Sequence, residues 1–214
     1  MSRPARSRLP GDAEVDLLGP TELGAAAHVA ARALHDDPMF VFLSGDTERR
    51  GRAMPVYLRA LLQSGLAGRT TYVVRRGAVV CGVAGWLPPG AYPLPVSRRL
   101  RQSLGALRAL SLVPRSIPAG LRALSATERA HPAEEHWYLA LLAVEPAEQG
   151  HGFGAALVQE ILGREGADFW PAYLETTNAR NVPWYRRFGF EVERELRPFS
   201  SGPSIWTMRR PSAD

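Results

Sequence analysis

The sequence contains no lysine: all 26 basic residues among its 214 are arginine, set against 21 acidic ones for a formal charge of +5. The missing lysine carries no functional weight. The arginines are spread along the chain, which describes a modest positive field able to draw in an anionic small molecule. It does not describe the clustered basic face of a nucleic-acid binder. Cysteine is almost as scarce. With Cys81 alone, an intrachain disulfide is excluded, which fits a reducing compartment. Five scattered histidines and that one cysteine match no metal-ligand spacing, so no metal is expected. No apolar run approaches the roughly 20 residues that cross a bilayer. Met1–Arg8 is basic and lacks the apolar centre of a secretory signal. Repeats and low-complexity tracts are missing too. These absences predict a cytoplasmic protein, monomeric or homodimeric, with neither membrane nor nucleic acid as partner.

What is present supports one sizeable core. Hydrophobic residues make up 45% of the chain and charged residues 22%, so wholesale disorder is not expected. Met1–Gly11 reads as a flexible tail and residues 12–214 as a single domain. Ala13–Leu18 reads as a strand. Thr21 is placed to cap a helix from Glu22 to Leu34, in which Leu23, Ala27, Ala30, Ala31 and Leu34 recur at helical spacing. His35-Asp36-Asp37-Pro38 interrupts it, and a second helix is expected within Thr47–Leu66. Thr70–Arg75 and Ala78–Leu87 form a hairpin signal around Gly77. Pro95–Arg129 reads as helices broken at Pro114 and Pro118. Then strands and helices alternate: strand His136–Val144, helix Gly152–Arg164, strand Ala172–Thr177, short helix Val182–Phe188, strands Phe190–Arg197 and Ser204–Arg209. Elements in this order predict an α+β or three-layer α/β domain with a mixed sheet.

The chemistry-bearing segment is Val144-Glu145-Pro146-Ala147-Glu148-Gln149-Gly150-His151-Gly152-Phe153-Gly154-Ala155. An apolar strand stops at proline, a glycine-rich turn follows, and a helix begins inside it. Glycines let a ligand approach the backbone, and the first amides of a helix are unpaired and sit at the positive end of its dipole. The combination suits a pyrophosphate. It is not a Walker A loop, because no Gly-Lys-Ser/Thr follows, and Gly150, Gly152 and Gly154 are out of register for the dinucleotide fingerprint.

Gln149-Gly150-His151-Gly152-Phe153-Gly154 resembles the (Gln/Arg)-x-x-Gly-x-(Gly/Ala) signature of the GCN5-related N-acetyltransferase (GNAT) superfamily, with strand and helix in that family's order. The resemblance implies a central mixed, mostly antiparallel sheet flanked by helices. It implies a splayed strand pair that binds acetyl-CoA as co-substrate. By that likeness Gln149, Gly150, His151, Gly152, Phe153, Gly154 and Ala155 hold the pyrophosphate, while the backbone at Leu142 and Val144 pairs with the pantetheine arm. Leu174-Glu175-Thr176 through Asn181-Val182-Pro183-Trp184-Tyr185 resembles the family's next block, which places Asn181 along the arm and makes Tyr185 the acid that protonates the departing thiolate. Without the resemblance Tyr185 reads as a core tyrosine and Asn181 as a helix cap. Together with His131-Pro132-Ala133-Glu134-Glu135-His136-Trp137-Tyr138 and Trp206-Thr207-Met208, these blocks resemble puromycin N-acetyltransferase-like members over roughly the last 85 residues.

The expected activity is an acyltransferase reaction: acetyl passes directly from acetyl-CoA to a primary amine, most readily that of a small molecule. The alternatives are a protein or peptide amine as acceptor, or a non-catalytic acyl-CoA-binding regulator. The base stays open. Where some GNAT members carry a glutamate, this chain has Tyr138, which leaves Glu175, His136 and Glu135 as candidates. Strict alternation would set His136, Tyr138, Ala140 and Leu142 on one strand face. Asp36 and Asp37 either attract a cationic amine or form a solvated Asp-Pro turn.

Overall fold

Seven strands make one sheet: β1 (Ala13–Leu17), β2 (Thr71–Arg76), β3 (Val79–Leu87), β4 (Trp137–Val144), β5 (Ala172–Thr176), β6 (Glu191–Leu196) and β7 (Ile205–Arg210). Their order across the sheet is β1-β2-β3-β4-β5-β7-β6, and every neighbouring pair is antiparallel except β4 and β5, which run parallel. The computed structural model describes residues 9–66, 70–93, 104–109, 111–164 and 166–213. The helices are α1 (Leu23–Ala33), α2 (Pro38–Leu43), α3 (Thr47–Leu66), α4 (of which residues 104–109 are described), α5 (Ile117–Ala130), α6 (Phe153–Leu162) and α7 (Asn181–Arg186).

The two faces of the sheet bury separate cores. One face packs Val15, Val74, Trp86, Leu139, Leu174 and Met208 against Phe153, Leu157 and Ile161 of α6. The other packs Val73, Val83, Leu141 and Ala143 against the alanine-rich face of α1 and against Met54, Leu58 and Leu62 of α3. The small side chains Ala26, Ala27, Ala30 and Ala31 let α1 lie close to the sheet, and their burial removes apolar surface from water. The expected mixed, mostly antiparallel sheet between helical layers is therefore present.

Four details depart from the sequence reading. Thr21 does not cap α1; it lies in a 3-10 turn (Pro20–Glu22), where the Glu22 carboxylate accepts the Gly19 N–H (2.9 Å) and pairs with Arg75 (2.5 Å). Pro118 does not break α5 but lies in its first turn, where a missing N–H costs nothing. Leu9, assigned to the tail, packs against the core; residues 1–8, and residues 95–103 and 110 of the Pro95–Arg129 stretch, lie outside the described residues. And α2, a single turn and a half of Pro-Met-Phe-Val-Phe-Leu, was not read from the sequence.

Side-chain clamps hold α2 in place. Asp37 caps it, its Oδ1 accepting the Met39 N–H at 3.0 Å. Arg50 on α3, only 5% exposed, donates to the His35 carbonyl (2.9 Å) before α2 and the Ser44 carbonyl (2.5 Å) after it. The Ser116 hydroxyl donates to the Leu43 carbonyl. Arg50→Leu strands two carbonyls and is expected to cost about 2–3 kcal/mol, read as a lowered urea midpoint at unchanged slope.

Candidate active site

The site forms where β4 and β5 stop pairing. Their ladder runs Trp137↔Ala172, Tyr138↔Tyr173, Leu139↔Leu174 and ends there, although β4 continues five residues further and β5 two. On its other side β4 stays paired with β3 as far as Val144, with one irregularity: Trp86 opposes Leu139 and Gly85 opposes Leu141, leaving Ala140 without a counterpart. This is a β-bulge, and it reverses the alternation of everything beyond it. Leu139 before the bulge and Leu142 and Val144 after it face the α6 core, whereas Leu141 and Ala143 face α1. The expectation that His136, Tyr138, Ala140 and Leu142 share a face is thereby corrected: Leu142 lies on the face opposite Tyr138.

The bulge also fixes which backbone groups are open. The Glu145 N–H donates to the Cys81 carbonyl on β3 at 2.8 Å. Alternation then turns the N–H and C=O groups of Leu142 and Val144 toward the gap between the strands. The Val144 carbonyl is met there by the Gln149 side-chain amide at 3.1 Å.

The loop after β4 is built as the spacing predicts. Gly150 and Gly152 stand at φ +84° and +83°, a region costly for any residue with a Cβ, and both are exposed. Gly152 is the N-cap of α6. Among the described residues, the N–H groups of Gly152, Phe153, Gly154 and Ala155 have no acceptor, and the first bond of the helix runs from the Ala156 N–H to the Gly152 carbonyl (3.0 Å). A Cβ on Gly154 would meet the Trp184 ring at 3.4 Å and Val144 at 3.7 Å, so glycine lets the loop, β4 and α7 close together. Phe153 contributes only its amide, because its side chain is buried in the core. His151 is exposed, its ring nitrogen 3.2 Å from the Glu148 carbonyl. Arg32 pairs with Glu145 (2.6 Å) and Arg76 with Glu148 (2.8 Å), fastening both ends of the turn to the body of the domain.

On the β5 side, Asn181 is the first residue of α7 and not its cap; its side-chain amide donates to the Thr176 hydroxyl at 3.3 Å. Tyr185, one turn on, is buried and packs edge-on against Trp184 and Phe190. Burial first, and the negative charge of Asp37 second, push its phenol well above the ordinary tyrosine value. Asp37 is no solvated turn residue: the Thr177 hydroxyl donates to the same Oδ1 that caps α2, at 2.6 Å.

Glu175 and His136 lie in one cluster on the face away from α6. The Tyr138 hydroxyl donates to Glu175 Oε2 at 2.7 Å. His136 Nδ1 is 2.7 Å from the Glu134 carbonyl, and its Nε2 is 3.1 Å from Nε2 of His131. His131 Nδ1 lies 3.6 Å from Glu175 Oε1. Tyr92, Tyr138 and Tyr173 wall the cluster. Burial, with the Glu175 charge and the hydrogen bond to it, raises Tyr138 well above the usual range, and Tyr173 is raised by the same causes. Glu135 is exposed, near Gly90. Glu175-Thr176-Thr177 thus touches every part: Glu175 the aromatic recess, Thr176 Asn181, and Thr177 the Asp37 whose charge acts on Tyr185. Sequence reasoning missed His131, Tyr173, Tyr92 and the tie from Asp37. His131 and Tyr138 stand beside His136 in one short segment, and that proximity was the available signal.

A family model described as an acetyltransferase (GNAT) domain matches residues 120–192. An N-acetyltransferase of Schizosaccharomyces pombe, itself uncharacterised, is 32% identical over 63 residues, 29% of this chain and 26% of that protein, so the chain aligns with about a quarter of this curated relative. Among solved structures, a histone acetyltransferase HPA2-related acetyltransferase from Corynebacterium glutamicum superposes with a TM-score of 0.65 at 23% identity, covering 95% of this chain and 98% of that one. Arylalkylamine N-acetyltransferase 2 from Aedes aegypti gives 0.63 at 15%, covering 95% and 100%. The chain has the GNAT fold, and residues 120–192 carry its acetyltransferase domain signature.

Burial also lowers the proton affinity of His136 below its ordinary value of 6.5, the hydrogen bond to Glu134 opposing in part. The unfolded ring takes up its proton near that value and the folded ring resists. The contribution is therefore complete above about pH 6.5 and is lost as pH falls toward the folded value. In urea titrations between pH 7.5 and 5.5, His136→Gln should show a shallower loss of stability than the parent.

Proposed function

We propose that this protein transfers the acetyl group of acetyl-CoA to a primary amine of a small molecule. The observation that carries the reading is the open cradle itself: four unpaired amides from Gly152 to Ala155, at the start of a helix and beside a strand edge whose Leu142 and Val144 backbone groups face a gap. A diphosphate satisfies such amides and gains from the helix dipole. Gln149, Gly150, His151 and the following residues to Ala155 would hold it, with the Phe153 side chain serving only as anchor. The arm of the co-substrate would run along β4, exchanging bonds with Leu142 and Val144 and passing the Asn181 amide.

The reaction then follows from the side chains flanking the gap. The acceptor ammonium gives one proton to Glu175. The freed nitrogen lone pair forms the N–C bond at the thioester carbonyl, and the β4 amides stabilise the oxyanion. The C–S bond breaks as Tyr185 gives its proton to sulfur, and Tyr185 is reprotonated by the hydrogen that the new amide nitrogen sheds. A phenol held above its ordinary value stands protonated at neutral pH, as an acid must. His136 lies behind Glu175 and reaches it through His131. Holding both reactants at the gap makes the step effectively unimolecular.

The small-molecule assignment is supported by the recess: a carboxylate whose side chain is 13% exposed, walled by tyrosines, suits a slender amine.

CoA release should be followed with acetyl-CoA against puromycin, spermidine, an aminoglycoside, 2-phenylethylamine and a peptide with a free N-terminus. Turnover of a small amine is expected; turnover of the peptide alone would overturn the acceptor class. Tyr185→Phe should lower turnover by about 10²–10⁴-fold while leaving calorimetric acetyl-CoA binding intact, and a variant as active as the parent would remove the acid role. Loss of calorimetric binding in Gly152→Val, but not in Glu175→Gln, should mark the loop as the co-substrate site.

A further inference from the structure

We propose that His131 is the positioning residue that stores the proton taken from the acceptor amine, receiving it on Nδ1 from Glu175 at the end of a directed hydrogen-bond chain. This rests on the acetyl-transfer reading and gives the base of that reaction its second half.

The direction of the chain starts at a backbone carbonyl. The Glu134 oxygen can only accept, so His136 Nδ1, 2.7 Å away, carries a hydrogen. His136 is buried in a setting that favours its neutral form, so its Nε2 holds a lone pair. The nitrogen 3.1 Å from that lone pair is Nε2 of His131, and one hydrogen must lie between them, which places it on His131. The tautomer with that hydrogen on Nε2 has a bare Nδ1, and that nitrogen faces Glu175 Oε1 at 3.6 Å. A lone pair and a carboxylate then confront each other with side-chain exposures of only 4% and 13%. A proton arriving at this contact turns the repulsion into an ion pair, strengthened by the low local dielectric.

The surroundings make the arrangement specific. The other carboxylate oxygen of Glu175 is already taken by the Tyr138 hydroxyl at 2.7 Å, so the proton-accepting edge is the one turned to His131. Tyr92, after β3, stacks on His131 with ring centroids 3.7 Å apart. Tyr138 on β4 and Tyr173 on β5 each present an edge at 4.8 Å. Their raised phenols stay neutral and compete for no proton. The nearby charges are held apart: Arg209 on β7 pairs with the Glu134 carboxylate at 2.6 Å and lies 4.0 Å from Glu193 on β6. The first of these pairs also braces the segment whose carbonyl sets the chain's direction.

Two measurements on the full chain test this. Histidine ring ¹⁵N NMR near neutral pH, without any acceptor, should find the hydrogen on Nδ1 of His136 and on Nε2 of His131; the opposite tautomer at either ring overturns the chain, whatever the protein acetylates. The second uses His131→Phe, which keeps an aromatic ring against Tyr92, with 2-phenylethylamine and its 2,2-difluoro analogue as probes. The fluorinated amine is far less basic and arrives mostly neutral. The variant should lose about 10²-fold in kcat/KM with the basic amine and only a few-fold with the fluorinated one, at unchanged acetyl-CoA affinity. Equal losses on both amines would reduce His131 to packing and overturn the proposal. If neither amine is a substrate of the parent, the acetyl-transfer reading fails on its own panel, and the tautomers alone decide for or against the chain.

Discussion

The parallel ladder between β4 and β5 ends after three residue pairs, and most of the site is a consequence of that parting. Backbone N–H and C=O groups are rarely left unmatched in a folded chain. Two strands that diverge while still extended therefore present a ready edge to anything that pairs like a third strand. The bulge at Ala140 chooses which groups line that edge. Without it, β4 would keep Leu142 on the Tyr138 face, and its backbone would be turned the other way. A single extra residue thus sets both the side chains that seal the core under α6 and the amides that look into the gap.

The two ends of this gap are electrostatic opposites. At one end, exposed glycines and a helix start offer bare N–H groups to negative charge. At the other, a carboxylate sits recessed among phenols and imidazoles, a place for a cation that can shed a proton. The separation keeps a seat for negative charge and a seat for positive charge apart within one small domain. The even scatter of arginines fits this division, since the strongest preferences arise from backbone dipoles and one half-buried glutamate.

Much of this was legible in the sequence. The strands and helices from His136 onward follow period-two and helical spacing bounded by Pro146, Gly152 and Gly189, and local signals of that kind survive folding well. The loop was legible because glycine at Gly150 and Gly152 answers a backbone demand that no other residue meets as easily. What escaped was of another kind. The bulge at Ala140 leaves no compositional trace, because it arises from the register of β4 against β3. Thr21 sits in a 3-10 turn whose Glu22 carboxylate is held by Arg75, 53 positions further on, a partner no local pattern announces. His131 and His136 meet through an irregular turn to which no period applies. The role of Asp37 depends on a hydroxyl far away in the chain.

That last contact links parts of the molecule that serve different ends. Asp37 Oδ1 gathers the Met39 amide and the Thr177 hydroxyl, groups 138 positions apart in the chain, and its charge acts on the phenol of Tyr185. The first forty residues are therefore tied by one of their own side chains to the corner where β5 leads into α7. A grafted N-terminal half would leave that corner as it stands only if it returned a carboxylate to the same point.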